Sequence, residues 1–363
     1  MGRAETRFPF FVGCGGNPVR GYVAEAGDYQ SMSSAERRSA EEMSYSLKVI
    51  RSRAGCFRQR AGARRRKRTL SDFKVMNVAI TGSSGFIGSH LSSRLAVLGH
   101  QVTPLWRYLF TQESVDCLAE ALAGCDAVIN LAGAPIDRRW TDDYKKELVE
   151  SRIMTTRKLV EAVNRLHEPP EVMISTSAVG YYSPSGCHGE EDDPAADSFL
   201  AELCLAWEKE AELVNGSVRL VRTRFGVVLS PDGGALPRMV RPARFGITAS
   251  VGDPDHSFSW VALEDLVDAL IFIMGKGDIS GPVNVTAPER TTNREFYKAA
   301  AEHFHTRLSI HVPDAVLRLL MGEASQVITR GQCAVPETLL REGFEFQYPD
   351  IRTFFNKAFP GKS

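Results

Sequence analysis

The chain has 363 residues, 43% of them apolar and 24% charged, and its 44 Lys/Arg are balanced by 44 Asp/Glu. This length and composition allow a full buried core and exclude a low-complexity, intrinsically disordered chain. No apolar run approaches the length of a bilayer-spanning helix, so no membrane association is expected.

The charge is uneven along the chain. Residues 1–75 hold 16 Lys/Arg against 7 Asp/Glu and end in the run RQRAGARRRKRTL, whereas the remainder holds 28 against 37. A nucleic-acid binder keeps its positive charge on the folded body, and this body is acidic, so no nucleic-acid partner is expected. Acidic residues interrupt the basic segment, and it lacks the apolar core of a secretory signal. The expectation for 1–75 is a disordered or mis-called N-terminal extension, with Met76 as the natural start of the fold.

From Met76 the sequence MNVAITGSSGFIGSH predicts a short strand, a three-glycine turn and the start of a helix. Gly82 allows the tight turn, Gly85 leaves room for a pyrophosphate, and Gly88 lets the helix lie close on its strand. Ser84, Phe86 and Ile87 complete the cradle, and the N–H groups of the helix starting near Phe86 point at the anion. The next strand, His100–Trp106, ends without the acid that would bind an NAD ribose. Arg107 stands there instead, suited to a 2′-phosphate, with Trp106 beside it for the adenine. The alternative is an ordinary surface arginine.

The strand Asp126–Gly133 ends in Leu131, Ala132 and Gly133, small enough for close backbone approach to a cofactor. A helix over 145–166 follows, with Leu148, Ile153, Leu159 and Val163 facing the core. Next come a strand at Glu171–Ser177, a loop, a helix over 199–214 and one strand at Val218–Ser230. The helix LEDLVDALIFIMG and a strand at Pro282–Ala287 complete the alternation. The expected fold is α/β, a Rossmann-type doubly wound parallel sheet over 76–287, followed by a small C-terminal substrate-side domain over 288–363.

Seven cysteines (Cys14, Cys56, Cys117, Cys125, Cys187, Cys204, Cys333) are odd in number and form no Cys-x-x-Cys pair. Reduced thiols in a cytoplasmic protein are therefore expected, without a zinc site. The acids of GEEDDP (189–194) are not accompanied by His at ligand spacing and read as a solvated loop, so no metal is assigned.

These motifs resemble those of the extended short-chain dehydrogenase/reductases, and within them the epimerase-like family 39U. TGSSGFIGSHL (81–91) and NLAG (130–133) are similar to many extended members. RRW (138–140), ESRIMTTRKLVEAV (150–163), SAVGYY (177–182) and RFGVVLSPDGGAL (224–236) are more particular to the family, and the tail over 313–355 is the sharpest likeness. The resemblance covers Met76 to about Ala358. It implies NADP(H) as cofactor, ahead of NAD, and adds Glu147, Arg152 and Val228 to the cofactor contacts. It also implies a small hydroxyl or carbonyl substrate, a nucleotide sugar among the candidates, and allows for a homodimer.

Reductases and epimerases of this superfamily use Ser/Thr, Tyr and Lys for proton transfer. Ser177 stands at the end of the right strand. The Tyr-x-x-x-Lys pair is replaced by Phe199-Leu-Ala-Glu-Leu203. Tyr181 and Tyr182 are the substitute candidates, with Arg152 as the cation that lowers a tyrosine pKa; the competing role for both tyrosines is core or pocket-wall packing. Two functions follow: an NADP-dependent oxidoreductase or epimerase, and a catalytically silent NADP(H)-binding regulator.

Overall fold

The computed structural model describes residues 74–195, 198–313, 316, 322–325 and 331–360. The expectations for residues 1–73, and for the tail over 317–321 and 326–330, lie outside the described residues. Strand β1 (Asn77–Thr81) runs into α1 (Phe86–Val97), β2 (Gln101–Leu105), α2 (Asp116–Leu122) and β3 (Ala127–Asn130). Helix α3 (Asp142–Asn164), β4 (Val172–Ala178), β5 (Cys187–His188), α4 (Phe199–Glu212) and β6 (Arg219–Phe225) follow. The main sheet has six strands in the order β11-β6-β4-β3-β1-β2, where β11 is Gly281–Val285, and every pairing is parallel.

Both faces of this sheet are buried, as a parallel sheet requires. Val78, Ile80, Ile129 and Ile174 point into one core with Leu91 and Leu95 of α1. Ala79, Val128 and Met173, one residue out of phase, point into the opposite core with Leu118, Leu159 and Val163. Helix α3 starts at Asp142, earlier than its apolar period shows, because the Thr141 hydroxyl accepts the N–H of Tyr144 at 3.2 Å. Its four expected core positions are all buried.

The strand expected over 218–230 divides. Gly226 interrupts it, and β7 (Val227–Ser230) leaves the main sheet for a three-stranded one with β8 (Gly233–Gly234) and β10 (Trp260–Ala262). A side chain at Gly226 would lie 2.9 Å from the Ser259 carbonyl oxygen, so only glycine permits that crossing. Helix α5 (Leu236–Met239) precedes β9 (Ile247–Val251), and α6 (Leu263–Gly275) covers the first core.

A third core joins Leu229, Leu236, Val240 and Trp260 to Phe296 and Tyr297 of α7 (Asn293–Phe304). Strand β12 (Leu308–Val312) pairs with β9, and α9 (Ile351–Ala358), which follows β13 (Cys333–Ala334) and α8 (Glu337–Arg341), adds Phe354 and Phe355. This core takes residues from both sides of position 287.

The cysteines depart from the reduced state expected of them. Cys187 and Cys333 form a disulfide across the parallel pair β5–β13, and Cys117 is disulfide-bonded as well; Cys125 and Cys204 are free and buried. A partner 146 residues away is invisible to spacing rules. Among the described residues no helix is long and apolar enough to cross a membrane, and no group of three His, Cys, Asp or Glu is placed to hold a metal ion.

Candidate functional site

The order of the central strands places β1 between β2 and β3, so the chain leaves β1 in opposite directions along the sheet. The crevice at the carboxyl ends of β1 and β3 is therefore the topological switch point where open α/β sheets take ligands. Gly82 follows β1 with φ +64°, and the Gly85 N–H closes the turn on the Gly82 carbonyl at 2.9 Å. A Cβ on Gly82 would sit 3.0 Å from the Leu131 carbonyl oxygen, so the two loops touch through backbone alone. Thr81 joins them: its Oγ1 accepts the N–H of Leu131 at 2.9 Å and of Ala132 at 3.0 Å, and donates to Asn130 Oδ1 at 2.7 Å. Asn130 Nδ2 in turn donates to Thr156 Oγ1, which also receives Trp207 Nε1. Thr81, Asn130, Thr156 and Trp207 thus form the polar scaffold of the crevice.

Around it, Ser84 and Gly85 are exposed and Phe86 and Ile87 half-buried. Gly85 caps α1 without a side chain, leaving the first-turn N–H groups directed at the crevice. Trp106 is half-buried at the end of β2, and the exposed Arg107 begins the following 3₁₀ turn. Arg152 reaches under the β3 loop, donating to the carbonyls of Leu148 and Ala134 at 3.2 and 3.0 Å, with its guanidinium over the Trp207 ring. Burial lowers its pKa, and no carboxylate among the described residues pairs with it. Glu147 is exposed on α3, and Val228 is half-buried on β7. The uncapped helix, the side-chain-free cradle and the two arginines fit a polyanionic dinucleotide.

At the end of β4, Ser177 is buried, and its Oγ has no oxygen or nitrogen partner. Cys204 of α4 faces it, the thiol pushed up to about 11 by burial. The two tyrosines that follow differ sharply. Tyr182 is 1% exposed; its hydroxyl donates to Asn284 Oδ1 at 2.9 Å and accepts Arg224 Nη1 at 2.7 Å. Burial drives its pKa up to about 12. The Tyr182 hydroxyl thus has both hydrogen-bonding directions used within the fold, which leaves Tyr181 as the freer candidate for proton transfer. Burial also raises the Tyr181 pKa, opposed by Arg224, whose Cζ lies 3.6 Å from the ring centroid. Arg152, the cation expected for this purpose, contacts neither tyrosine; Arg224 stands in its place.

Arg224 is held in a bidentate pair with Glu208, Nε–Oε1 2.8 Å and Nη2–Oε2 2.9 Å, both side chains 3% exposed. Glu190 is buried too, accepting the N–H groups of Asn284 and Thr338, so one acid of GEEDDP is structural. The positions of the missing Tyr-x-x-x-Lys pair are apolar: Leu203 is buried, and Phe199 packs edge-on to Trp140 at 5.3 Å. Sequence reasoning missed Arg224, Glu208 and Asn284 because charged and amide side chains in an amphipathic pattern read as surface.

A model of the NAD dependent epimerase/dehydratase family matches residues 78–286. The chain belongs to that family. A second match, over 312–358, is to a domain of unknown function, DUF1731. The epimerase family protein YfhF of Bacillus subtilis is 35% identical over 290 residues, covering 76% of this chain and 95% of its own. The crystal structure of human epimerase family protein SDR39U1 (isoform 2) with NADPH matches with a TM-score of 0.73 at 31% identity, over 79% of this chain and all of that one. A nucleoside-diphosphate sugar epimerase from Corynebacterium glutamicum is 28% identical with a TM-score of 0.64, over 89% of this chain and 63% of that one. The family resemblance and the Rossmann-type α/β fold expected from the motifs are thus both found.

Proposed function

We propose that this epimerase-family protein is a cytoplasmic NADPH-dependent oxidoreductase acting on a carbonyl or hydroxyl group of a small substrate, with nucleotide sugars as the substrate class. The observation that carries this reading is the crevice itself: the Gly82–Gly88 turn, the uncapped α1 and the exposed Arg107 on one edge of the sheet. The NADPH of the human SDR39U1 structure supports the choice of cofactor. Bound there, NADPH supplies a hydride.

The chain's own residues supply binding and proton transfer. Gly82, Ser84 and Gly85 take the pyrophosphate against backbone N–H groups, Gly88 lets α1 lie close enough to present them, and Arg107 pairs with the 2′-phosphate. Ser177, at the end of β4 just ahead of Tyr181, is the residue that orients the substrate oxygen. Tyr181 is the proton donor to that oxygen as a carbonyl is reduced; burial raises its pKa and opposes the transfer, and Arg224 against its ring acts the other way.

One observation favours a second reading, NADPH binding without turnover: apolar Phe199 and Leu203 fill the usual tyrosine and lysine positions. Titration of the full chain with NADPH, followed by NADPH absorbance across a set of carbonyl compounds and nucleotide 4-keto sugars, separates the two. Substrate-dependent NADPH loss that Tyr181→Phe abolishes is the expected result. Tight NADPH binding with no turnover of any compound overturns the enzymatic reading.

A further inference from the structure

Residues 331–338 cross the carboxyl edge of the sheet as a strap. Ser259 Oγ donates to the Gln332 carbonyl at 2.8 Å and accepts the Ala334 N–H at 2.9 Å. Thr286 Oγ1 donates to the Ala334 carbonyl at 3.0 Å, and Asn284 Nδ2 to the Val335 carbonyl at 2.9 Å. On its other side the strap pairs with β5, Cys333 opposite Cys187 and Ala334 opposite His188. Ala334 packs in one cluster with Val179, Tyr181, Tyr182 and Cys204. The strap therefore covers the loop that carries Tyr181, and the Cys187–Cys333 bond is its covalent tie to that loop.

We propose that Cys187–Cys333 is a redox-responsive clasp that sets how tightly the strap covers the Tyr181 face. The two ends of the bond are unequal: Cys187 is exposed, whereas Cys333 is 4% exposed. A dithiol reductant reaches the Cys187 sulfur first. Its thiolate attacks that sulfur, forming a mixed disulfide and breaking the Cys187–Cys333 bond; Cys333 leaves as a thiolate and takes up a proton. The second thiol of the reductant then displaces Cys187, which is protonated in turn, so two electrons and two protons pass to the protein and the reductant ends as a disulfide.

After reduction the strap keeps its hydrogen bonds but loses the only covalent link between the β4–α4 loop and the C-terminal segment among the described residues. Loops closed by long cross-links gain the most conformational freedom on opening. As a device governing access to Tyr181, the clasp rests on the reading of that face as the substrate side; its test is read on the chain's own amides.

The test is hydrogen exchange on the full chain with and without dithiothreitol, with the thiols mapped peptide by peptide by alkylation, since Cys117 is disulfide-bonded too. In the oxidised protein Cys187 and Cys333 resist alkylation. Reduction exposes both and speeds exchange in peptides over 331–340 and 179–190 at least tenfold. Cys187→Ser, at the exposed end, exchanges in oxidising buffer like reduced wild type and does not respond to dithiothreitol. Alkylation of both cysteines without reductant overturns the proposal, as does exchange within twofold in the two mapped states. The exchange difference is expected even from a chain that turns over no carbonyl compound, so the clasp and the enzymatic reading fail separately.

Discussion

A Cβ on Gly88 would lie 2.2 Å from the carbonyl oxygen of Gly82, so helix α1 rests directly on the backbone of the turn that precedes it. The obstacle is main chain, which cannot rotate aside. Gly88→Ala therefore forces α1 away from β1 and opens the cradle. A loss of about 2–4 kcal/mol in unfolding free energy is expected, measured by urea denaturation, together with at least tenfold weaker NADPH binding by fluorescence titration. Wild-type stability and affinity in this variant would show that the close approach is dispensable.

The Arg224–Glu208 pair is buried on both sides, and removing one partner leaves the other charge without compensation. Glu208→Gln is expected to destabilise by about 3–5 kcal/mol. Tyr182→Phe, which leaves Arg224 and Asn284 each short of one bond, should cost about 1–3 kcal/mol. Its retained NADPH turnover would agree with a structural Tyr182; loss of turnover at unchanged stability would return Tyr182 to the chemistry.

Asp265 on α6 is 1% exposed. Burial raises its pKa to about 6 although it accepts the N–H groups of Gln347 and Tyr348. The folded state thus holds the proton more tightly than the unfolded state, whose value lies near 3.9. This contribution to stability is complete below about pH 4 and is lost as pH rises to about 6, a change on the order of 2–3 kcal/mol. Asp265→Asn lacks it, so the variant should gain on wild type between pH 4 and 7 in denaturant midpoints. A constant gap between the two proteins would contradict the assignment.

Leu203 lies in an apolar cluster with Trp140, Leu148 and Ala324. Leu203→Ala is expected to cost about 2–4 kcal/mol through the cavity it leaves, with NADPH affinity changed less than threefold. A large loss of affinity at unchanged stability would mean that this position touches the cofactor.

The parts of this molecule legible in its sequence are those where local chemistry determines structure. The apolar strand before Gly82 and the 3.6-residue period through Leu148, Ile153, Leu159 and Val163 place the crevice and its supporting helix. What escaped depends on partners distant along the chain. Gly226 sits in a run of β-forming residues, and only the approach of Ser259 shows why the strand must break there. Glu208 lies in a run of charges that reads as a solvated helix face, yet Arg224 from β6 buries it. Tyr181 and Tyr182 are equivalent as letters; Asn284, 102 residues on, ties up the hydroxyl of one of them. The Cys187–Cys333 bond joins strands too short to carry an alternating pattern.

In the proposed function the crevice between β1 and β3 takes NADPH, and Arg107 selects it over NADH. Fluorescence titration of wild type and Arg107→Ala with both nucleotides tests it most directly. Arg107 is exposed at the end of β2, so its loss should leave the fold intact. A charge-assisted contact of this kind predicts NADPH affinity lowered about 10- to 100-fold with NADH affinity nearly unchanged. Equal weakening for both nucleotides, or none for either, would contradict it.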